Sequence, residues 1–146
     1  MKPLYRVWQI VWVILLSVGC MQNGSYTKTQ AEQAYKSGEQ YAKEIIVLFN
    51  AGKLDQVANR FADVCGKNKL TPVQKLMGYT FVFHSFIRKN DYDSTLLYQD
   101  FCINIIEQNG LEHLLPNQYI SYLLCKSASL YYLHRPEQAS ELFFPI

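Results

Sequence analysis

From position 29 onward, apolar residues recur every three or four places, the spacing of one face of an α-helix. Ala31, Ala34, Tyr35, Gly38, Tyr41, Ala42, Ile45, Leu48 and Phe49 form the first series. Thr29 with Glu32 reads as its capping box, and Gly52 suits the left-handed position that closes it. Leu54, Val57, Ala58, Phe61, Val64 and Cys65 carry a second helix, with Gly66-Lys67-Asn68 as its stop. Thr71-Pro72-Val73-Gln74 opens a third: a capping threonine, proline at the first helical position and glutamine at the reciprocal site. Val73, Leu76, Met77, Thr80, Phe81, His84 and Ile87 follow in helical register. Residues 79–83 have strong β-propensity and make a strand the competitor, but the caps and the period favour a helix. Asp91 or Asp93 caps a fourth helix bearing Leu96, Leu97, Phe101, Cys102, Ile105 and Ile106, stopped at Asn109-Gly110. A fifth spans about 116–133, with Tyr119, Ile120, Leu123, Leu124, Ser127, Leu130 and Tyr131 inward, and Pro136 opens a short sixth. The expectation is an all-α domain over 29–146. Its five to six antiparallel helices fall into three hairpins, 29–65, 71–108 and 116–144, because the turns within each are short.

The first 28 residues follow a different pattern. Lys2 and Arg6 make a basic start, and an apolar run from Val7 to Val18 is broken only by Gln9 and Ser17. After Gly19-Cys20 the chain turns polar. This is the layout of a secretory signal, and the run is shorter than the ~20 residues that span a bilayer. Leu16-Ser17-Val18-Gly19-Cys20 resembles the lipobox of bacterial lipoprotein precursors, with Ser17 where leucine is preferred. The resemblance implies a signal peptide over 1–19, cleavage before Cys20, acylation of Cys20 and a tether over 20–28. It further implies a cell-envelope location. Met21 occupies the place where aspartate favours inner-membrane retention, so the outer membrane is the expected destination in a Gram-negative cell.

Within the body, Leu48, Gly52, Leu54, Val57 and Phe61 are spaced in a way similar to the middle of a tetratricopeptide repeat. Leu130, His134, Pro136, Ala139 and Phe143 repeat the spacing. Phe86, Asn90 and Tyr92 keep its first part, with Thr95 and Gln99 at the small and aromatic positions. Equivalent positions lie 38 residues apart from Val57 to Thr95 and 44 from Thr95 to Ala139, longer than the repeat's usual period of about 34. A repeat-like stack and an irregular helical bundle are both consistent with this.

Charge adds little. The formal net charge is +2, from 14 Lys+Arg against 12 Asp+Glu. Lys2 and Arg6 account for the excess, so the body is neutral and a nucleic-acid partner is not expected. Cys65, Cys102 and Cys125 sit on apolar stretches, as packing cysteines do, although an oxidising compartment leaves a disulfide open. His84, His113 and His134 lack the spacing of a zinc site, and Asp91-x-Asp93 lacks the glycine and glutamate of a calcium loop. No nucleophile, phosphate-binding or dinucleotide motif is present, so no catalytic residue, metal or cofactor is assigned.

Aromatic residues are the distinctive feature near the C-terminus. Tyr119, Tyr122, Tyr131 and Tyr132 crowd one helix on more than one face, and Phe143-Phe144 follow. Tyr122, Tyr132 and Phe144 are candidate interface residues, because exposed aromatics anchor protein partners. The sequence therefore suggests a lipid-anchored adaptor or assembly factor. Two alternatives stay open: an immunity protein or inhibitor of a toxin or envelope hydrolase, and a small-molecule-binding or enzymatic periplasmic protein.

Overall fold

The computed structural model describes residues 26–144, and every regular element in that range is helical. The elements are α1 (Lys28–Ser37), α2 (Glu39–Asn50), α3 (Leu54–Lys67), α4 (Pro72–Arg88), α5 (Tyr92–Gln108), α6 (Pro116–Tyr132) and α7 (Pro136–Glu141). The expected first helix is thus two helices. They part at Gly38, which is buried where a side chain would run into the Gln74 carbonyl of α4. That close approach requires glycine and marks where the chain bends.

The first cap lies two residues before the expected one. Thr27 accepts from the Gln30 amide at 3.3 Å, and the Gln30 side chain accepts from the Thr27 amide at 2.9 Å. Both T-x-x-E and T-x-x-Q frames were available. The earlier one sets Tyr26 and Ala31 in the same core cluster, a hydrophobic staple, whereas the later frame would offer Lys28 and Gln33. Thr71, Pro72 and Gln74 open α4 as expected, and Asp91, rather than Asp93, caps α5 through the Ser94 amide at 3.0 Å. Helix α3 ends within the expected Gly66-Lys67-Asn68 stop, at Asn68 rather than at the glycine. The helix runs on to Lys67, where the Asn68 side-chain amide donates to the Val64 carbonyl at 2.8 Å.

Four helices end in one way. Gly52, Asn90, Gly110 and His134 have φ of 71°, 57°, 61° and 58°. The next amide along, on Lys53, Asp91, Leu111 or Arg135, donates back to Leu48, Phe86, Ile106 or Leu130 at 2.9–3.0 Å. This is a Schellman turn. Three of the four join the helices of a hairpin, α2–α3, α4–α5 and α6–α7, at the positions that the sequence repeat aligns. The repeat is therefore also a repeat of backbone geometry.

The hairpins stack unevenly. Helix α4 packs against both α2 and α3, and also against α1. Helix α6 packs against α5, but none of its Cα atoms comes within 8 Å of one in α4. Two core clusters result. One, built on Ile45, Val57, Phe61 and Val82, joins the first two hairpins. The other holds Ala31, Leu76, Phe83, Cys102, Ile106 and Tyr122, with Tyr79 and Tyr98 packed against both clusters.

Candidate functional site

The feature with most potential for recognition is the outward face of α6 and the short α7 beyond it. Ile120, Leu124 and Tyr131 fall on one stripe of α6, since four- and eleven-residue steps return to nearly the same side of a helix. All three are exposed, at 53%, 56% and 69%. Tyr132 on the flank is 61% exposed and stacks on Tyr92 of α5, with ring centroids 4.8 Å apart and planes 10° from parallel. Phe143 and Phe144 follow α7 at 41% and 76%. Tyr131, Tyr132, His134, Pro136 and Glu137 line a shallow groove at the turn.

The sequence expected Ile120, Leu124 and Tyr131 to point inward, and the structure reverses this. Leu130 is buried as expected, and Tyr119 and Leu123 pack against the core, but the other buried positions of α6 are Tyr122 and Ser129. Apolar residues surround α6 on several sides, so their spacing alone could not choose the buried face. Helix α5 also mixes buried and exposed apolar positions. Of its apolar series, Cys102 and Ile106 are buried but Leu97 and Phe101 are 51% and 38% exposed, while Thr95 and Gln99 are fully buried.

Of the three candidate interface residues, Tyr132 and Phe144 lie on the surface. Tyr122 does not: it is only 3% exposed, its ring meets Phe83 edge-on at 6.1 Å, and its hydroxyl lies 3.1 Å from Thr80 Oγ1. Burial pushes its phenol far above the ordinary value, with Cys102 and Tyr35 beside it adding to the shift. Tyr122 is a core residue. Cys20 lies outside the described residues.

Aligning the turns explains why the α6 stripe is uncovered. Counted back from Gly52, Asn90 and His134, the positions of Ile120, Leu124, Ser127 and Tyr131 match Gly38, which caps α2, and Ala42, Ile45 and Phe49 within it. In α4 they match Leu76, Thr80, Phe83 and Ile87. In α2 this face is sealed by α4, with Ala42 and Ile45 at 0% exposure. In α4 it is covered by α1 and by side chains of α6, with Leu76 at 0% and Phe83 at 1%. In α6 it faces water, because no helix after α7 packs there among the described residues. The repeat spacing carried this signal, since it places Ile120, Leu124 and Tyr131 on the face that receives a following helix.

Elsewhere the chemistry is sparse. Cys65, Cys102 and Cys125 are free thiols, and burial pushes all three up, Cys102 furthest. That keeps them protonated at neutral pH, the condition of packing cysteines rather than nucleophiles. Tyr119 is pushed up to about 12, first by its hydrogen bond to Glu107 at 2.8 Å. Among the described residues, no three of His, Cys, Asp and Glu gather to hold a metal, and no helix is long and apolar enough to cross a membrane. A groove between α2 and α3 is lined by Lys43, Glu44, Asp55, Arg60 and Asp63 around Val47. Two of those charges are already paired there, Glu44 with Arg60, while Asp55 binds Lys89, just past the end of α4, at 2.5 Å. Comparison with family models, curated proteins and solved structures finds no match to this chain.

Proposed function

We propose that this protein is an exported lipoprotein, held to an envelope membrane through acylated Cys20, whose helical domain docks protein through the α6–α7 face as an adaptor or assembly factor. The observation that carries the docking half is the uncovered stripe of Ile120, Leu124 and Tyr131. With Tyr132, Phe143 and Phe144 it leaves roughly 700–900 Å² of mostly apolar surface in water, taking ~200–250 Å² for each side chain when free. Isolated exposed apolar residues are ordinary, but a patch of this size is a mark of interaction surfaces. The anchoring half rests on the lipobox-like residues 16–20. Acyl chains contribute about 0.8 kcal/mol per buried CH₂, and holding the domain at a membrane raises its effective concentration for neighbours there. In a Gram-negative cell the outer membrane, on its periplasmic side, is the favoured location.

Intact mass after expression in a bacterial host, wild type beside Cys20→Ser, tests the anchor. The expected product starts at Cys20 and carries acyl mass that the variant lacks. A chain that keeps residues 1–19, or an unmodified Cys20, would sink the anchor. A photo-crosslinking residue at position 132 or 144 tests the face, which should give protein adducts that a probe at the exposed Lys28 does not.

A further inference from the structure

We infer that the occupant of the α6 face is the same face of a second copy of this chain, the two related by a twofold axis. This rests on the reading of that face as a protein-docking surface and names its partner. Three observations favour a copy. The first is area: a standard stable interface takes about 800 Å² from each partner, and the patch reaches that only when the pair covers Tyr132, Phe143 and Phe144 at the α7 end together with the stripe.

The second is charge. The only charged residue on α6 is Lys126, and its ammonium is engaged by Asp100 of α5 at 2.7 Å with the side chain 23% exposed. Ile120, Leu124, Ser127 and Tyr131 are all neutral, so bringing two copies of the stripe together opposes no like charges. An antiparallel pairing sets Ile120 of one copy beside Tyr131 of the other. Leu124 then lies against the smaller Ser127 and Ala128 of the other copy, which lets the helices approach closely.

The third observation weighs against the obvious rival. A repeat stack could instead extend head to tail, laying the α6 face of one copy on the outward groove between α2 and α3 of the next. That groove is ringed by Lys43, Glu44, Asp55, Arg60 and Asp63. Covering that rim with an apolar stripe would desolvate the Glu44–Arg60 and Asp55–Lys89 pairs as well as Lys43 and Asp63, a cost that stripe on stripe does not carry. Apolar face on apolar face closes the pair and leaves the charged end free. In an anchored protein each pair would carry two acylated cysteines, so it would hold the membrane more firmly than a single chain.

The test uses the full chain, purified from membranes in a large excess of detergent, with two differently tagged copies expressed together. Protein mass by light scattering and co-capture of the two tags are read for wild type, Leu124→Asp, Tyr131→Asp and Val47→Asp. All three positions are exposed, at 56%, 69% and 66%, so each variant should keep its helical spectrum and melt. The expected result is twice the single-chain mass for wild type and Val47→Asp, with single-chain mass and loss of co-capture for the two α6 variants. Wild type at single-chain mass, or a pair that survives both α6 substitutions, would overturn the inference. If wild type is single and a photo-crosslinker at position 124 captures a different envelope protein, the docking reading stands and the second copy falls. If it is single and captures nothing, both fall.

Discussion

The junction between the first two hairpins and the junction between the second and third are built from the same positions and behave differently. At the first, the Phe61 ring of α3 lies against Gly78 of α4, where any side chain would collide with it. Glycine lets α4 settle into the groove between α2 and α3. At the second, the position matching Gly78 is Tyr122, twelve residues before His134 as Gly78 is twelve before Asn90, and the position matching Phe61 is Gln99. A large side chain replaces none, and a polar one replaces an aromatic. Helix α6 then stands off α4, which it reaches through the Tyr122–Thr80 and Tyr122–Phe83 contacts. Gln99 is left fully buried with neither amide atom bonded. One exchange of sizes thus separates a tight step from an open one, and the open step leads to the face that no helix among the described residues covers.

The sharpest way to break the comparison is to place one charge at matching positions. Ala42 and Leu124 are equivalent, but Ala42 is sealed and Leu124 is in water. An unpaired carboxylate at position 42 should cost most or all of a domain's stability of about 5–15 kcal/mol, whereas Leu124→Asp should stay within ~0.5 kcal/mol in dilute solution. Urea melts of the two variants decide it, and similar midpoints would mean that the α6 face is covered within the monomer.

The tight junction can be loosened from either side. Phe61→Ala removes a ring that is 2% exposed and edge-on to Tyr79 at 5.3 Å, at an expected cost of about 3–5 kcal/mol. Gly78→Ala should cost about 1–3 kcal/mol even though alanine favours helix by ~1 kcal/mol, because the new methyl meets the Phe61 ring. Combined with Phe61→Leu, the Gly78→Ala penalty should shrink. Additive losses would show that the two residues do not share a contact.

The open junction should respond the other way. Gln99→Met keeps an unbranched side chain and removes two unpaired polar atoms, which predicts a gain of about 1–3 kcal/mol. A rise of several degrees in Tm would register it, and a fall would mean that the amide is bonded in solution. A smaller gain, about 1 kcal/mol, is expected from His134→Gly, since His134 holds φ of 58° in a turn where Gly52 does the same work without a side chain.

How much of this could be read from the chain depends on which forces were local. Thr71-Pro72-Val73-Gln74 announced α4 correctly because a cap is satisfied within four residues. Thr27 and Thr29 offered overlapping caps, and the choice turned on packing of Tyr26 and Ala31 against the core, which no local rule sees. Gly38 was counted as one more inward residue because its role, admitting the Gln74 carbonyl, depends on another helix. The outward placement of Ile120, Leu124 and Tyr131 has the same origin. Counting apolar residues passed over Thr95 and Gln99, yet their alignment with Val57 and Phe61 already placed them in the core. For the candidate site, Tyr132 and Phe144 were legible as exposed aromatics, and Tyr122 was not, since its burial follows from the gap that it fills itself.

The middle hairpin differs from its neighbours in one more respect, and this gives the smallest expected effect. His84 occupies the place that Ile46 and Ala128 hold in α2 and α6. Burial, and then the Arg88 guanidinium, depress it below its ordinary value of 6.5. The folded protein therefore resists the proton that the unfolded chain accepts. Above pH ~6.5 neither state is charged at this residue and stability is unaffected. As pH falls from there toward the lower folded value, the unfolded state alone gains the proton, so stability declines, and below that value the loss levels off. Asp91 is also depressed, by its hydrogen bonds from Ser94, but its window begins at 3.8 and lies lower. Tm measured from pH 7.5 down to 5 should accordingly fall for wild type and fall less for His84→Gln. Equal slopes would mean that His84 takes up its proton as readily in the folded hairpin as in the open chain.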